Sequence, residues 1–385
     1  MVKYGIIKEM WDMLTQIVSI IIIIIGIVAT YTSAKKKEKE DSLFCILFTA
    51  GIELINNASG DFWDKMIIET AIIMGNNNLS SVTDEFNIWN FAFGIILVIV
   101  AIVIKISKKN KLCVLNINGY YKRNVEPYLK SKKTILYDYR EREINFVHIY
   151  KRMFSIKKDK DCFKCILEQI KEETEAFKNE TTELKRGYTG IAPIPFIMYA
   201  GTYLNRVEIN KYYEFDKIDT NQYYELTNKN NYMYPELKLK TELDKLDTGK
   251  KEVVVAISIT QKITDQALKQ FNVNSDICRL EIDNPKDNAI KSVKQLNNYT
   301  NIIFTTVEKI THIIPDIKRI NIVCSSQSCL AVEMGKRSVD STRIPEIVAY
   351  QFESQSNIKY PWGIVINGTD KGKLIKVEEV EESNV

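Results

Sequence analysis

From Met13 to Ala34 the chain carries no charged side chain, and its centre is a run of six isoleucines, Ile20 to Ile25. At 1.5 Å rise per residue, about 20 apolar residues cross a hydrocarbon core of roughly 30 Å. The run therefore predicts a transmembrane helix over residues 13–34. A cleavable secretory signal fits less well, because the run ends in Tyr31 and then Lys35, Lys36 and Lys37 instead of a small-residue cleavage site. A second span is predicted over 86–104, with Trp89 at an interface and Lys105, Lys108, Lys109 and Lys111 closing it. Those lysines would place the following region in the cytoplasm. Lysines also follow the first run, which leaves open a third crossing through 43–58. The same segment could instead be re-entrant or interfacial, with Glu53 either lining a pore or lying at the interface.

Beyond Lys111 the composition changes. Residues 1–111 hold 11 Lys, no Arg and 11 acids, whereas 112–385 hold 42 basic and 38 acidic side chains. A chain of 385 residues allows two or three domains. The net charge of +4 argues against wrapping of a nucleic acid, which needs a concentrated basic face, but leaves room for a small anion. Seven scattered cysteines suggest reduced thiols in the cytosol. Cys162 and Cys165 form a single CxxC inside a helical pattern, and His148 and His312 are the only histidines, so no metal site is expected. No P-loop, GxGxxG or GxSxG sequence occurs, and no catalytic residue is assigned.

In the charged region, short apolar runs at 112–118, 133–137, 252–259, 320–324, 346–352 and 363–367 alternate with helical patterns. The clearest helix runs from Asp159 to Lys178, where Phe163, Ile166, Leu167, Ile170 and Phe177 share one face. This alternation predicts an α/β domain with a largely parallel sheet, and 112–385 is long enough for two Rossmann-like halves, at 112–220 and 235–375. Two turns carry the chemistry. Thr189 and Gly190 lead through Pro193 into a helix containing Tyr199, a setting in which backbone amides and a hydroxyl approach an anion. Ser325, Ser326, Gln327 and Ser328 end a strand and open a second helix, where the helix N-terminus favours a phosphate. A third strand end offers Ser258, Thr260 and Gln261, whereas Thr264 reads as a helix cap.

At these turns, and in the order of its parts, the chain resembles the SAVED domain of CBASS anti-phage systems. The similarity rests on residues 189–195, on Val253 to Gln261, on Ser325 to Ser328 entering the helix at Ala331 to Gly335, and on the Tyr350 strand. The resemblance implies two fused CARF-like Rossmann subdomains behind N-terminal transmembrane helices. It implies a cyclic di- or trinucleotide ligand, made by a CD-NTase, with no cofactor and no enzymatic activity. Ligand-binding positions are then expected at Thr189, Gly190, Tyr199, Ser258, Gln261, Ser325, Ser326, Gln327 and Tyr350, with base stacking on Tyr199 or Tyr350. Arg140, Arg142 and Lys262 are candidates for the phosphates by charge alone. Activation would proceed by homo-oligomerisation and disruption of the bacterial inner membrane, ending in abortive infection. The alternative is a membrane-anchored Rossmann-like enzyme that hydrolyses a cyclic or other nucleotide.

Overall fold

The computed structural model describes residues 21, 23–31, 39–58, 88–109, 111–131, 139–155, 160–229, 233–271, 275–340 and 343–377. The chain divides into two compact units, Met1–Lys111 and Leu112–Val385.

The first unit is helical where described: residues 23–31, α1 (Lys39–Ala58) and α2 (Ile88–Lys109). α1 and α2 touch where both lack a side chain, since a Cβ on Gly51 would lie 2.8 Å from the Gly94 carbonyl oxygen and one on Gly94 would lie 2.7 Å from that of Gly51. Among the described residues no helix is long and apolar enough to cross a membrane. This overturns the expected spans at 86–104 and 43–58. It also conflicts with the multi-pass inner-membrane placement. The physical reason lies in the helices. The uninterrupted apolar stretch of α2 runs only from Phe91 to Ile104, closed by Asn90 and Lys105, and about 20 residues are needed. α1 opens with Lys39, Glu40 and Asp41 and carries Glu53 in its last turns. Most of the expected span at 13–34 lies outside the described residues.

The second unit is built from one pattern used twice. Its first sheet takes the order β2-β1-β3-β4-β5, from β1 (Leu112–Asn118), β2 (Tyr139–Asn145), β3 (Lys185–Ile191), β4 (Lys211–Asp216) and β5 (Gln222–Glu225). The second comprises β6 (Lys238–Leu239), β7 (Glu252–Ser258), β8 (Ser275–Glu281), β9 (Arg319–Ser325), β10 (Glu346–Gln351), β11 (Trp362–Val365) and β12 (Leu374–Lys376), in the order β12-β11-β10-β9-β7-β8-β6. Without its two outer strands the second sheet repeats the first: β8-β7-β9-β10-β11 matches β2-β1-β3-β4-β5. In each, the first four strands run parallel and the fifth is antiparallel. The parallel α/β expectation holds for this unit. The expected strand at 133–137 lies outside the described residues.

The helices follow the same duplication. In the first half α3 (Glu126–Ser131), α4 (Val147–Ser155), α5 (Lys160–Glu180) and α6 (Ile194–Tyr203) join the strands; in the second, α7 (Asp265–Leu268), α8 (Val293–Ile313) and α9 (Ser328–Arg337) do so. All five apolar positions that predict the α5 face are buried, and Thr264 caps α7 by accepting from the Ala267 amide. One continuous core includes Leu115 and Ile117 of the first sheet, Ile320 and Ile322 of the second, and both α6 and α9.

α6 and α9 occupy equivalent places, each entered from the third strand of its half, and they cross at equivalent residues. Gly201 and Gly335 are each the eighth residue of their helix. A Cβ on Gly335 would lie 2.0 Å from the Met198 carbonyl oxygen, and one on Gly201 would lie 2.3 Å from that of Val332. Both neighbours are backbone, so neither can turn aside. Gly→Ala in a helix interior ordinarily gains about 1 kcal/mol. At Gly335 we expect the reverse, a loss of about 1 to 3 kcal/mol from overpacking, read as a lower denaturation midpoint in chemical unfolding. A stabilised Gly335→Ala protein would contradict the crossing.

Candidate functional site

The duplication brings the carboxyl ends of the central strands to matching turns. After β1, the amides of Gly119 and Tyr120 donate to the Ile191 carbonyl at 2.9 and 3.1 Å; after β7, those of Ile259 and Thr260 donate to the Ser325 carbonyl at 3.0 and 2.9 Å. The main chain is the same in both turns while the side chains differ. The first offers Tyr120 and Tyr121 above Ile191 and Ala192. The second is polar, with the Thr260 and Ser325 hydroxyls 2.8 Å apart and Ser325 Oγ accepting from the Gln261 amide at 3.1 Å.

These turns are joined by β10. Gln351, at its end, donates through Nε2 to the Tyr120 hydroxyl at 3.0 Å and so ties the second half to the first. Gln351 and Phe352 lie one and two residues beyond the paired Tyr350 and Val323, which brings them alongside the end of β9. Two polar contacts therefore lie near neighbouring strand ends, Tyr120 with Gln351 and Ser325 with Thr260 and Gln261, and Phe352 packs on Tyr360 at 5.6 Å. Phe352 is 44% exposed and Tyr120 40%, whereas Gln351 is only 7% exposed and its Oε1 has no hydrogen-bond partner. A buried acceptor left open at a strand end is costly unless something else satisfies it.

Of the residues expected from sequence, Ser325, Ser326 and Gln261 lie on this rim. Ser326 donates to the Gln327 carbonyl at 3.2 Å and accepts from the Cys324 thiol at 3.1 Å. The others are placed elsewhere. Ser258 is fully buried and its hydroxyl accepts from the Ile263 amide, fastening the 259–263 turn. Gly190 faces the inner core, where Tyr188 Oη would lie 2.5 Å from a Cβ. Thr189 is buried level with Asn116 of β1. Tyr199 accepts from the Tyr203 hydroxyl at 2.7 Å and packs near Gly372, and Tyr350 packs against Phe271. Neither tyrosine reaches the rim. Arg142 is committed to Glu173 and Glu180, at 2.8 and 2.6 Å, whereas Lys262 is exposed beside Gln261.

The start of α9, read from sequence as a seat for phosphate, already holds an anion from the other half. Glu214 of β4 accepts from Ser328 Oγ at 2.9 Å and from the Cys329 amide at 2.6 Å. Gln327 is fully engaged too: its Oε1 accepts from the Ile290 amide, and its Nε2 donates to the Tyr224 hydroxyl at 2.7 Å and the Ile290 carbonyl at 3.0 Å. The electrostatics of the helix end are therefore spent on joining the halves. Tyr120, Gln351 and Phe352 were missed in the sequence. The pair Gly119-Tyr120 directly after an apolar strand was the available signal for the first, and nothing local marked the other two.

Residues 166–366 match the model of SAVED, the SMODS-associated and fused to various effectors sensor domain. The chain belongs to the SAVED family. No curated protein matches it. Among solved structures it is similar to the Acinetobacter baumannii Cap4 SAVED/CARF-domain containing receptor with the cyclic trinucleotide 2'3'3'-cAAA. Identity is 10% and the TM-score 0.43, with 74% of this chain and 62% of that one covered. It is also similar to the Moraxella osloensis Cap4 SAVED/CARF-domain containing receptor at 13% identity and TM-score 0.41, covering 69% of this chain and 52% of that one. The chain thus spans less than two thirds of the length of either. SAVED domains are sensor domains, and the duplicated α/β unit with a shared strand-end rim is the form taken here.

Burial pushes the Glu214 carboxyl above the usual carboxylate range, opposed by the Cys329 amide and the Ser328 hydroxyl. A raised pKa in the folded state adds stability as pH falls through it, and that contribution is lost as pH rises. Wild type should therefore gain stability relative to Glu214→Gln as pH falls from neutral toward the ordinary carboxylate range, as measured by urea unfolding. Glu214→Ala, which strands two buried donors, should lose about 1 to 3 kcal/mol at either pH. A pH-independent difference between wild type and Glu214→Gln would contradict the assignment.

Proposed function

We propose that the second unit is a receptor for a cyclic oligonucleotide in CBASS-type anti-phage signalling, with the ligand seated across the rim shared by the two halves. The observation that carries this reading is the bond from Gln351 to Tyr120, which joins the two halves beside the strand end that carries Ser325 and Thr260. A cyclic oligonucleotide repeats a base and a phosphate around a ring, and the rim repeats a turn across a pseudo-twofold axis. The exposed rings of Phe352 and Tyr120 offer faces on which bases stack, worth about 1 to 3 kcal/mol per base. Gln351 Oε1 is an open acceptor suited to an exocyclic amine. The Thr260–Ser325 hydroxyl pair and the Gln261 side chain supply neutral donors for phosphate, with Lys262 as the nearby cation.

Binding is proposed to favour an oligomer-competent state of the chain. This requires the ligand to bind that state more tightly than the other, since equal affinity would shift nothing.

The test is calorimetric titration of the full chain with cyclic di- and trinucleotides. One should bind saturably. The Tyr120→Ala variant, and separately Ser325→Ala combined with Thr260→Val, should weaken it about tenfold or more, equivalent to about 1.4 kcal/mol. Sedimentation velocity should show a larger species with that ligand. No binding by any member, or binding indifferent to both variants, would overturn the proposal.

A further inference from the structure

A cavity of about 630 Å³ opens beside the first sheet, between the β1–α3 loop, α3 and the β4–β5 hairpin. That volume suits a small organic molecule. Its walls are aromatic: Tyr128 of α3, Phe215 of β4 and Tyr223 of β5. Tyr223 packs edge-on against Phe215 at 5.2 Å, and Tyr128 lies 6.4 Å from Tyr223. Into this frame projects Arg123. Its guanidinium lies 3.8 Å from the centre of the Phe215 ring and 5.5 Å from that of Tyr121. It donates to Asn221 Oδ1 at 3.2 Å. The neighbouring cation, Lys122, is paired with Glu143 at 3.0 Å. Arg123 makes no ion pair with a carboxylate among the described residues.

The second observation comes from beneath the aromatic wall. Tyr223 is 7% exposed and lines the cavity, and its hydroxyl has no hydrogen-bond partner. The Thr189 hydroxyl is its near neighbour. Asn116 Oδ1, on the strand next to Thr189, is also without a partner. Of these, Tyr223 lines the cavity, and an open hydroxyl there suits a ligand with a polar edge.

A planar guanidinium held over a ring keeps its outer donors for an oxyanion. Aromatic walls take a flat ring, and the Tyr223 hydroxyl below can exchange a hydrogen bond with its edge. We infer that this cavity is a second ligand site, taking a planar aromatic anion of the size of a nucleoside monophosphate, with the anionic group on Arg123 and the ring against the aromatic wall. The site is built by the first half alone and does not depend on the rim proposed above.

The test is titration of the full chain with adenosine 5′-monophosphate, followed by calorimetry and by quenching of tyrosine fluorescence. Saturable one-site binding is expected. It should weaken about tenfold in Arg123→Gln, which removes the charge but leaves the backbone contacts of Arg123 in place. It should weaken also in Phe215→Leu and stay unchanged in Ser325→Ala. Circular dichroism of each variant separates lost binding from lost folding; if Phe215→Leu does not fold, Tyr128→Leu takes its place. No saturable binding, or binding unaffected by Arg123→Gln, would overturn the inference. So would loss of binding in Ser325→Ala, which would place the nucleotide on the rim. Inorganic phosphate binding as tightly as the nucleotide would overturn the aromatic part.

Discussion

The backbone contact between Gly201 and Gly335 is the constraint on which the second unit depends. Two helices can approach this closely only where neither bears a side chain, and here the two glycines are the same residue of a duplicated helix. Because each helix leaves the third strand of its own sheet, bringing the helices together also brings the strand ends to matching positions. The continuous core from Leu115 to Ile322 holds that arrangement from both sides. The strand-end rim is thus set by packing several residues into the helices.

The same junction redistributes the polar chemistry. In an isolated Rossmann-like half, the helix N-terminus after the third strand is a natural place for an anion. When two halves are fused, a carboxylate from one can fill the helix end of the other, as Glu214 does at Ser328 and Cys329. Gln327 and Tyr224 complete the joint. The side chains that stay open lie one or two residues beyond the strands, where there are hydroxyls, an amide and two exposed rings. The near-balanced charge of the chain, +4 over 385 residues, accords with a surface of that neutral kind.

Much of the second unit was legible in the sequence because buried parallel strands are continuously apolar. Residues 252–259 and 320–324 could be read directly. β2 was not legible: it reads YREREIN because it is an edge strand, and its charged residues are partly exposed or paired across to α5. β3, with Gly187 and Gly190, lacks an apolar run because aromatic neighbours fill the space beside its glycines. The serine-rich turn was found for what it is, a strand end entering a helix, but its use was only half visible. Ser325 and Ser326 stay on the rim, whereas Gln327 is consumed by Ile290 and Tyr224, contacts far away in sequence. Tyr199 and Tyr350 looked like stacking platforms from their place near the turns, yet each faces a core. In the first unit, apolar composition was read as spanning length, and the interruptions at Asn90, Lys105 and Glu53 shorten the helices below it.

The central claim is that both halves contact one cyclic oligonucleotide through equivalent strand-end turns. Hydrogen exchange of the full chain, with and without the ligand that binds it, tests this most directly. Protection is predicted to rise together in the segments around residues 119–121 and 259–261, and in the segment around Gln351 and Phe352 that joins them. Protection confined to one half, or absent from both turns while the ligand is bound, would contradict the account.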